Sequence, residues 1–151
     1  SDIDEGKRRL AAELGAQWVN AADAVLSQCD VLAPCALGGA IDADNAELLR
    51  CEVVCGSANN QLAEEGLDER LADRGVLYAP DFIANAGGVI HVYGEIGGHS
   101  ADRARALAAG IERTMGGILE ASAARGITPL RAAHELAHER LGSAREPAAA
   151  A

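Results

Sequence analysis

Aromatic residues are scarce in this chain: one Trp, two Tyr and one Phe make up 3% of it. A core must therefore be assembled from Ala, Leu, Val and Ile, within a hydrophobic content of 49% that suits a globular protein. No run of ~20 apolar residues occurs, which excludes a transmembrane helix. Positive charge is short as well, with 13 Lys and Arg against 23 Asp and Glu, for a net charge of −10. That balance favours solubility and repels nucleic acid and anionic membrane surfaces. The start, Ser1-Asp2-Ile3-Asp4-Glu5, is acidic and is no signal peptide; with no Met before it, the chain is expected to begin inside a longer protein. Cys29, Cys35, Cys51 and Cys55 form no C-x-x-C pair and have no histidine cluster near them. They are expected to be reduced thiols used as small core residues, with zinc ligation or a disulfide as the alternatives. Reduced thiols imply a cytoplasmic location. No internal repeat is present, and the one low-complexity stretch is the Ala-rich tail after Glu146.

At 151 residues the chain is long enough for one domain with its own core. Apolar runs at Val31-Leu32-Ala33, Glu52-Val53-Val54-Cys55 and Val76-Leu77-Tyr78-Ala79 read as strands. They carry no polar alternation, as expected of strands covered on both faces. Ala16-Gln17-Trp18-Val19 is a fourth, short candidate. Helices are expected over 5–14, 21–28, 42–50 (capped by Asp42 or Asp44), 60–73 with a break near Gly66, 81–97, 102–125 and 129–141. Strands alternating with helices at this spacing indicate an α/β fold with a parallel sheet.

Each of the three strands from residue 31 onward runs into a polar or glycine-bearing turn: Ala33-Pro34-Cys35-Ala36-Leu37-Gly38-Gly39, Gly56-Ser57-Ala58-Asn59-Asn60 and Pro80-Asp81-Phe82-Ile83-Ala84-Asn85-Ala86-Gly87-Gly88. Three such turns gather polar groups on one edge of a sheet, the edge where open α/β sheets bind ligands. Together, and in this order, they resemble the glutamate/leucine/phenylalanine/valine dehydrogenase family, with its leucine and phenylalanine branches nearest. The resemblance runs from Ser1 to about Leu141.

The resemblance implies a Rossmann-like parallel sheet lacking its first strands, followed by C-terminal helices. Residues 1–79 would be a partial dinucleotide-binding domain, 80–142 its helical continuation with a hinge helix, and 143–151 a disordered tail. No G-x-G-x-x-G occurs, so the chain is similar to the later part of a C-terminal NAD-binding domain. Asp2 would bond the adenosine ribose hydroxyls and favour NAD over its 2′-phosphorylated relative. Cys35 and Ala36 would line the nucleotide cleft, chiefly through backbone. Asn59 would face the nicotinamide ribose and the substrate amino group, and Asn85 the nicotinamide carboxamide, whose donor and acceptor an Asn can match. Asn59, Gly87, Val89 and Val92 would form the substrate pocket. Valines at 89 and 92 make it apolar, where glutamate-specific relatives carry a serine at the position of Val92. The implied reaction is reversible, NAD-dependent oxidative deamination of an aliphatic, branched-chain L-amino acid to a 2-oxo acid and ammonia. The acid/base Lys and Asp would lie in an N-terminal domain. The one lysine here, Lys7, is far from any motif, so no catalytic residue is assigned in this chain and the chain alone is expected to be inactive. A homo-oligomer is expected for the longer protein.

Two other readings compete. One is a nucleotide-binding module without catalysis. The other is a zinc hydrolase built on His134-Glu135-Leu136-Ala137-His138, which matches H-E-x-x-H. Against the latter, no third ligand is in reach and Arg131, Arg140 and Arg145 oppose a cation, so no metal is expected. His91 and His99 read as structural or surface residues.

Overall fold

The computed structural model describes residues 1–98 and 100–145. The tail expected beyond residue 145, and His99, lie outside the described residues. Three short parallel strands, β1 (Val31–Leu32), β2 (Val53–Val54) and β3 (Leu77–Tyr78), form a sheet in the order β1-β2-β3, with Val31 opposite Val53 and Val53 opposite Leu77. Helices α1 (Lys7–Glu13) and α2 (Ala21–Val25) precede the sheet, and α3 (Leu67–Asp73) connects β2 to β3. Four more follow β3: α4 (Asp81–Ala84), α5 (Gly87–Ile96), α6 (Ala101–Arg125) and α7 (Pro129–Arg145). The α/β class and the parallel sheet are those expected from the strand–helix alternation.

Two buried clusters hold this together. Ile41, Leu49, Val54, Leu67, Leu71, Val76 and Tyr78 form the first, between the sheet and α3. Ile118 on α6 meets Ala132 and Ala133 on α7 in the second, with Ile83 and Leu136 packed against it. Small alanines there let the two long helices lie close. Gly126 closes α6 in the left-handed region at φ 62°, as a glycine C-cap does. Thr128 then accepts the Arg131 N–H at 3.2 Å to start α7.

Several expected elements form differently. Residues 16–19 make no strand, because no strand among the described residues takes their backbone bonds; Trp18 instead lies under the Arg8 guanidinium, 5.6 Å from the ring centroid. The segment 42–50 holds only a 3-10 turn, Ala46–Leu48. There the Asp42 carboxylate accepts from the N–H groups of Asp44 and Asn45, and the Asn45 amide bonds the Ala40 carbonyl. Such local bonds compete with helix propagation. Residues 60–66 are not helical, and Asn60 sits at φ 50°. The helix expected over 81–97 is two helices that break at Asn85-Ala86. α7 runs to Arg145, past the boundary expected at 142.

Candidate functional site

Because β1, β2 and β3 are parallel, the bends that leave their carboxyl ends all lie along one edge of the sheet. Backbone bonds bind the first two bends together. The Ala58 N–H donates to the Pro34 carbonyl at 2.9 Å, and the Gly39 N–H to the Asn60 carbonyl at 2.7 Å. The approach is so close that a Cβ on Gly56 would lie 2.0 Å from the Pro34 oxygen, and one on Gly38 would lie 2.8 Å from the Asn59 oxygen. Only glycine fits between chains at that spacing.

Gln61 and Asp81 join the third bend to this pair. The Gln61 side chain is fully buried and donates to the carbonyls of Gly56 and Ala58 at 2.8 and 3.0 Å. Its backbone N–H donates to Asp81 Oδ2 at 3.0 Å, while Asp81 Oδ1 accepts from the Phe82 N–H at 2.7 Å. Burial, reinforced by the Asp81 carboxylate, pushes the Tyr78 phenol above its ordinary range. Neither Gln61 nor Asp81 stood out in the sequence; the signal was an Asp directly after Pro80, poised to reach backbone N–H groups.

Asn59 and Asn85 meet across the resulting rim. Asn85 Nδ2 donates to Asn59 Oδ1 at 2.6 Å and to the Ala58 carbonyl at 3.3 Å. Both hydrogens of that amide are thereby used. Asn59 Nδ2 and Asn85 Oδ1 have no hydrogen-bond partner among the described residues. The joined pair therefore keeps one free donor group and one free acceptor, the complement of a planar carboxamide. The break between α4 and α5 makes this possible, since it ends α4 at Asn85.

Cys35 lies on the exposed surface of the first bend. Hydrogen bonds from Ser57, from its hydroxyl and then from its backbone amide, hold the Cys35 thiol below its ordinary pKa. Ala36 is exposed beside it. Gly87 and Gly88 open α5, and an added Cβ at either would meet nothing within 4 Å, so the space in front of them is open. Val89 and Val92 share the same exposed face of α5, at 74% and 54% exposure. They are not core residues, and Tyr93 and Ile96 extend the same apolar stripe. Asp2 bonds to its own segment of the chain. Its carboxylate is engaged by Lys7 Nζ at 2.6 Å and by the Asp4 N–H at 2.9 Å, and the Lys7 bond lowers its pKa.

The H-E-x-x-H segment is otherwise occupied. The His134 ring lies 5.2 Å from that of Phe82, and Glu135 is paired with Arg125 at 2.6 Å and Arg131 at 3.3 Å. Arg125 above all holds the Glu135 carboxyl below its usual range. Among the described residues, no three His, Cys, Asp or Glu side chains cluster as metal ligands. Nor is any described helix long and apolar enough to cross a membrane. His91 is exposed and sits 3.3 Å from Glu95.

Known proteins are similar to this chain in sequence and in fold. Residues 3–146 match the family profile described as Glutamate/Leucine/Phenylalanine/Valine dehydrogenase. A valine dehydrogenase of Streptomyces coelicolor is 49% identical over 116 residues, covering 77% of this chain and 32% of that protein. A leucine dehydrogenase of Thermoactinomyces intermedius is 41% identical over 142 residues, covering 93% of this chain and 39% of that protein. The crystal structure of L-tryptophan dehydrogenase from Nostoc punctiforme superimposes with a TM-score of 0.89 at 35% identity, covering 94% of this chain and 43% of that one. The chain thus spans 32% to 39% of the length of these curated relatives. With a matching profile over almost all of its length and a shared fold, the chain belongs to the glutamate/leucine/phenylalanine/valine dehydrogenase family.

Proposed function

We propose that this chain is the dinucleotide-binding part of an NAD-dependent L-amino-acid dehydrogenase that deaminates an aliphatic, branched-chain substrate to its 2-oxo acid. The observation that carries the reading is the coupled pair Asn59–Asn85, whose unused donor and acceptor suit the nicotinamide carboxamide. The bound cofactor would supply the acceptor for the hydride leaving the substrate α-carbon. The chain's own part is to hold and orient. Asn85 would fix the carboxamide through its free Oδ1, with Asn59 offering its Nδ2 to the same group or to the ribose and substrate amine beside it. Cys35 and Ala36 would wall the cleft where the backbones of the first two bends come together. Asp2 would take the adenosine ribose through the acceptor sites that Lys7 and the Asp4 N–H leave on its carboxylate.

The exposed stripe Val89–Val92 on α5 would face the substrate side chain. It offers no group to pair a buried carboxylate, which would disfavour acidic substrates. No acid/base residue is assigned here; it would come from the remainder of the longer protein. That protein would be a cytoplasmic homo-oligomer. The test is a spectrophotometric assay of NAD reduction by the full-length protein over a panel of L-amino acids. Turnover of leucine, valine or isoleucine in preference to glutamate is expected. Exclusive turnover of glutamate, or none at all, would overturn the reading.

A further inference from the structure

The amino-terminal edge of the sheet, opposite the site just described, carries two of the four cysteines. Val31 of β1 lies opposite Val53 of β2. Cys29 and Cys51 each stand two residues before these, ahead of the bends at Asp30 and Glu52 that lead into the strands. The backbones remain paired at this level: the Cys29 N–H donates to the Arg50 carbonyl and the Glu52 N–H to the Asp30 carbonyl, both at 3.1 Å. Both thiols are half-buried and line one recess of about 830 Å³, together with Gln28, Asp30, Arg50 and Arg74. The two thiols also sense each other electrostatically. Burial raises the Cys51 pKa most, and Cys29 raises it further.

Neighbouring strands run about 4.8 Å apart, inside the Cα separation of roughly 4.4–6.8 Å that a disulfide spans. The Cys29–Arg50 backbone bond brings the two segments side by side, and both thiols line the same recess. A disulfide lining a solvent-open recess is of the exposed kind that thiols reduce readily. We propose that Cys29 and Cys51 are a redox-active pair that closes reversibly to a disulfide, with a low-molecular-weight disulfide such as glutathione disulfide as the oxidant.

The exchange balances in two steps. The Cys29 thiolate attacks one sulfur of glutathione disulfide, forming a mixed disulfide and expelling one glutathione thiolate. Cys51 then loses its proton to solvent and attacks the Cys29 sulfur, expelling the second glutathione as a thiolate that takes up a proton. Two protein thiols are oxidised by two electrons, and glutathione disulfide is reduced to two thiols. The recess gives the oxidant its way in.

The test is disulfide mapping of the purified chain after incubation with glutathione disulfide and alkylation of the remaining thiols. Trypsin leaves Cys29 with Cys35 and Cys51 with Cys55, so cleavage after Glu52 and before Asp30 is added. The expected product links the Cys29 and Cys51 peptides, lighter by two hydrogen atoms than the separate reduced pair, and an excess of reduced glutathione returns both thiols. Cys29→Ser should abolish the link, and the mapping of the unaltered chain decides the matter if that variant fails to fold. Linkage of either thiol to Cys35 or Cys55, separate glutathione adducts without a link, or a link that resists reduced glutathione would each overturn the proposal.

Discussion

The side-chain amide of Asn85 donates to Oδ1 of Asn59 at 2.6 Å, joining two bends 26 residues apart in the chain. Neither residue can be altered without freeing the other. This makes the two asparagines one recognition unit rather than two independent contacts, and their substitution effects should not add.

Asn85→Asp is expected to weaken NAD binding by the full-length protein at least tenfold, about 1.4 kcal/mol. It removes the amide that bonds Asn59 and sets a carboxylate against Asn59 Oδ1 and the Ala58 carbonyl. Asn59→Ala should cost less, and the double variant less than the sum. Calorimetric titration of all three would show the coupling; strictly additive losses would separate the residues.

Gly56→Ala is expected to destabilise the chain by at least about 2 kcal/mol, because the new methyl has no room against backbone and the two bends must part. Gly87→Ala, with open space in front of it, is the control. Denaturant melts of both variants measure the contrast, and equal midpoints would contradict the close approach of the first two bends.

Cys35 should alkylate at a lower pH than Cys51. Ser57 stabilises the Cys35 thiolate, so its folded pKa lies below the unfolded value, whereas burial raises that of Cys51. The associated stabilisation by Cys35 is present above its unfolded pKa and is lost as pH falls through its folded pKa. Ser57→Ala should move the Cys35 profile to higher pH. Iodoacetamide labelling across pH, read by mass spectrometry, checks this, and bound NAD should slow the labelling of Cys35.

Val92→Ser in the full-length protein is expected to cut kcat/KM for leucine several-fold, since a hydroxyl replaces apolar surface at an exposed face proposed to meet the substrate side chain. Steady-state kinetics with leucine test it; unchanged values would remove Val92 from the pocket.

β1 has β2 on one side and, among the described residues, no strand on the other, with Val31 half exposed. An open edge of this kind pairs with other chains. The isolated chain is expected to self-associate, as sedimentation would show, and a monomeric two-state melt would contradict that.

The strands and their three bends could be read from the sequence because apolar runs ending in Pro, Gly and Asn leave little choice of structure. The helix expected at 42–50 failed where Asp42 and Asn45 turned their side chains onto the local backbone. The strand expected at 16–19 failed because a strand is defined by its partner, which apolar pattern alone does not supply. The Asn59–Asn85 contact was implied only as two residues near one cofactor. Their direct bond depends on the break at Asn85, and on Asp81 and Gln61 holding the second bend to the third, none of which periodicity reveals.

The central claim is that the rim built by Asn59 and Asn85 receives the nicotinamide carboxamide. A crystal structure of the full-length protein soaked with NAD tests it most directly. Density for the carboxamide within hydrogen-bond distance of Asn85 Oδ1, with Asn59 beside it, is the expected result. A nicotinamide ring bound away from both asparagines would contradict it.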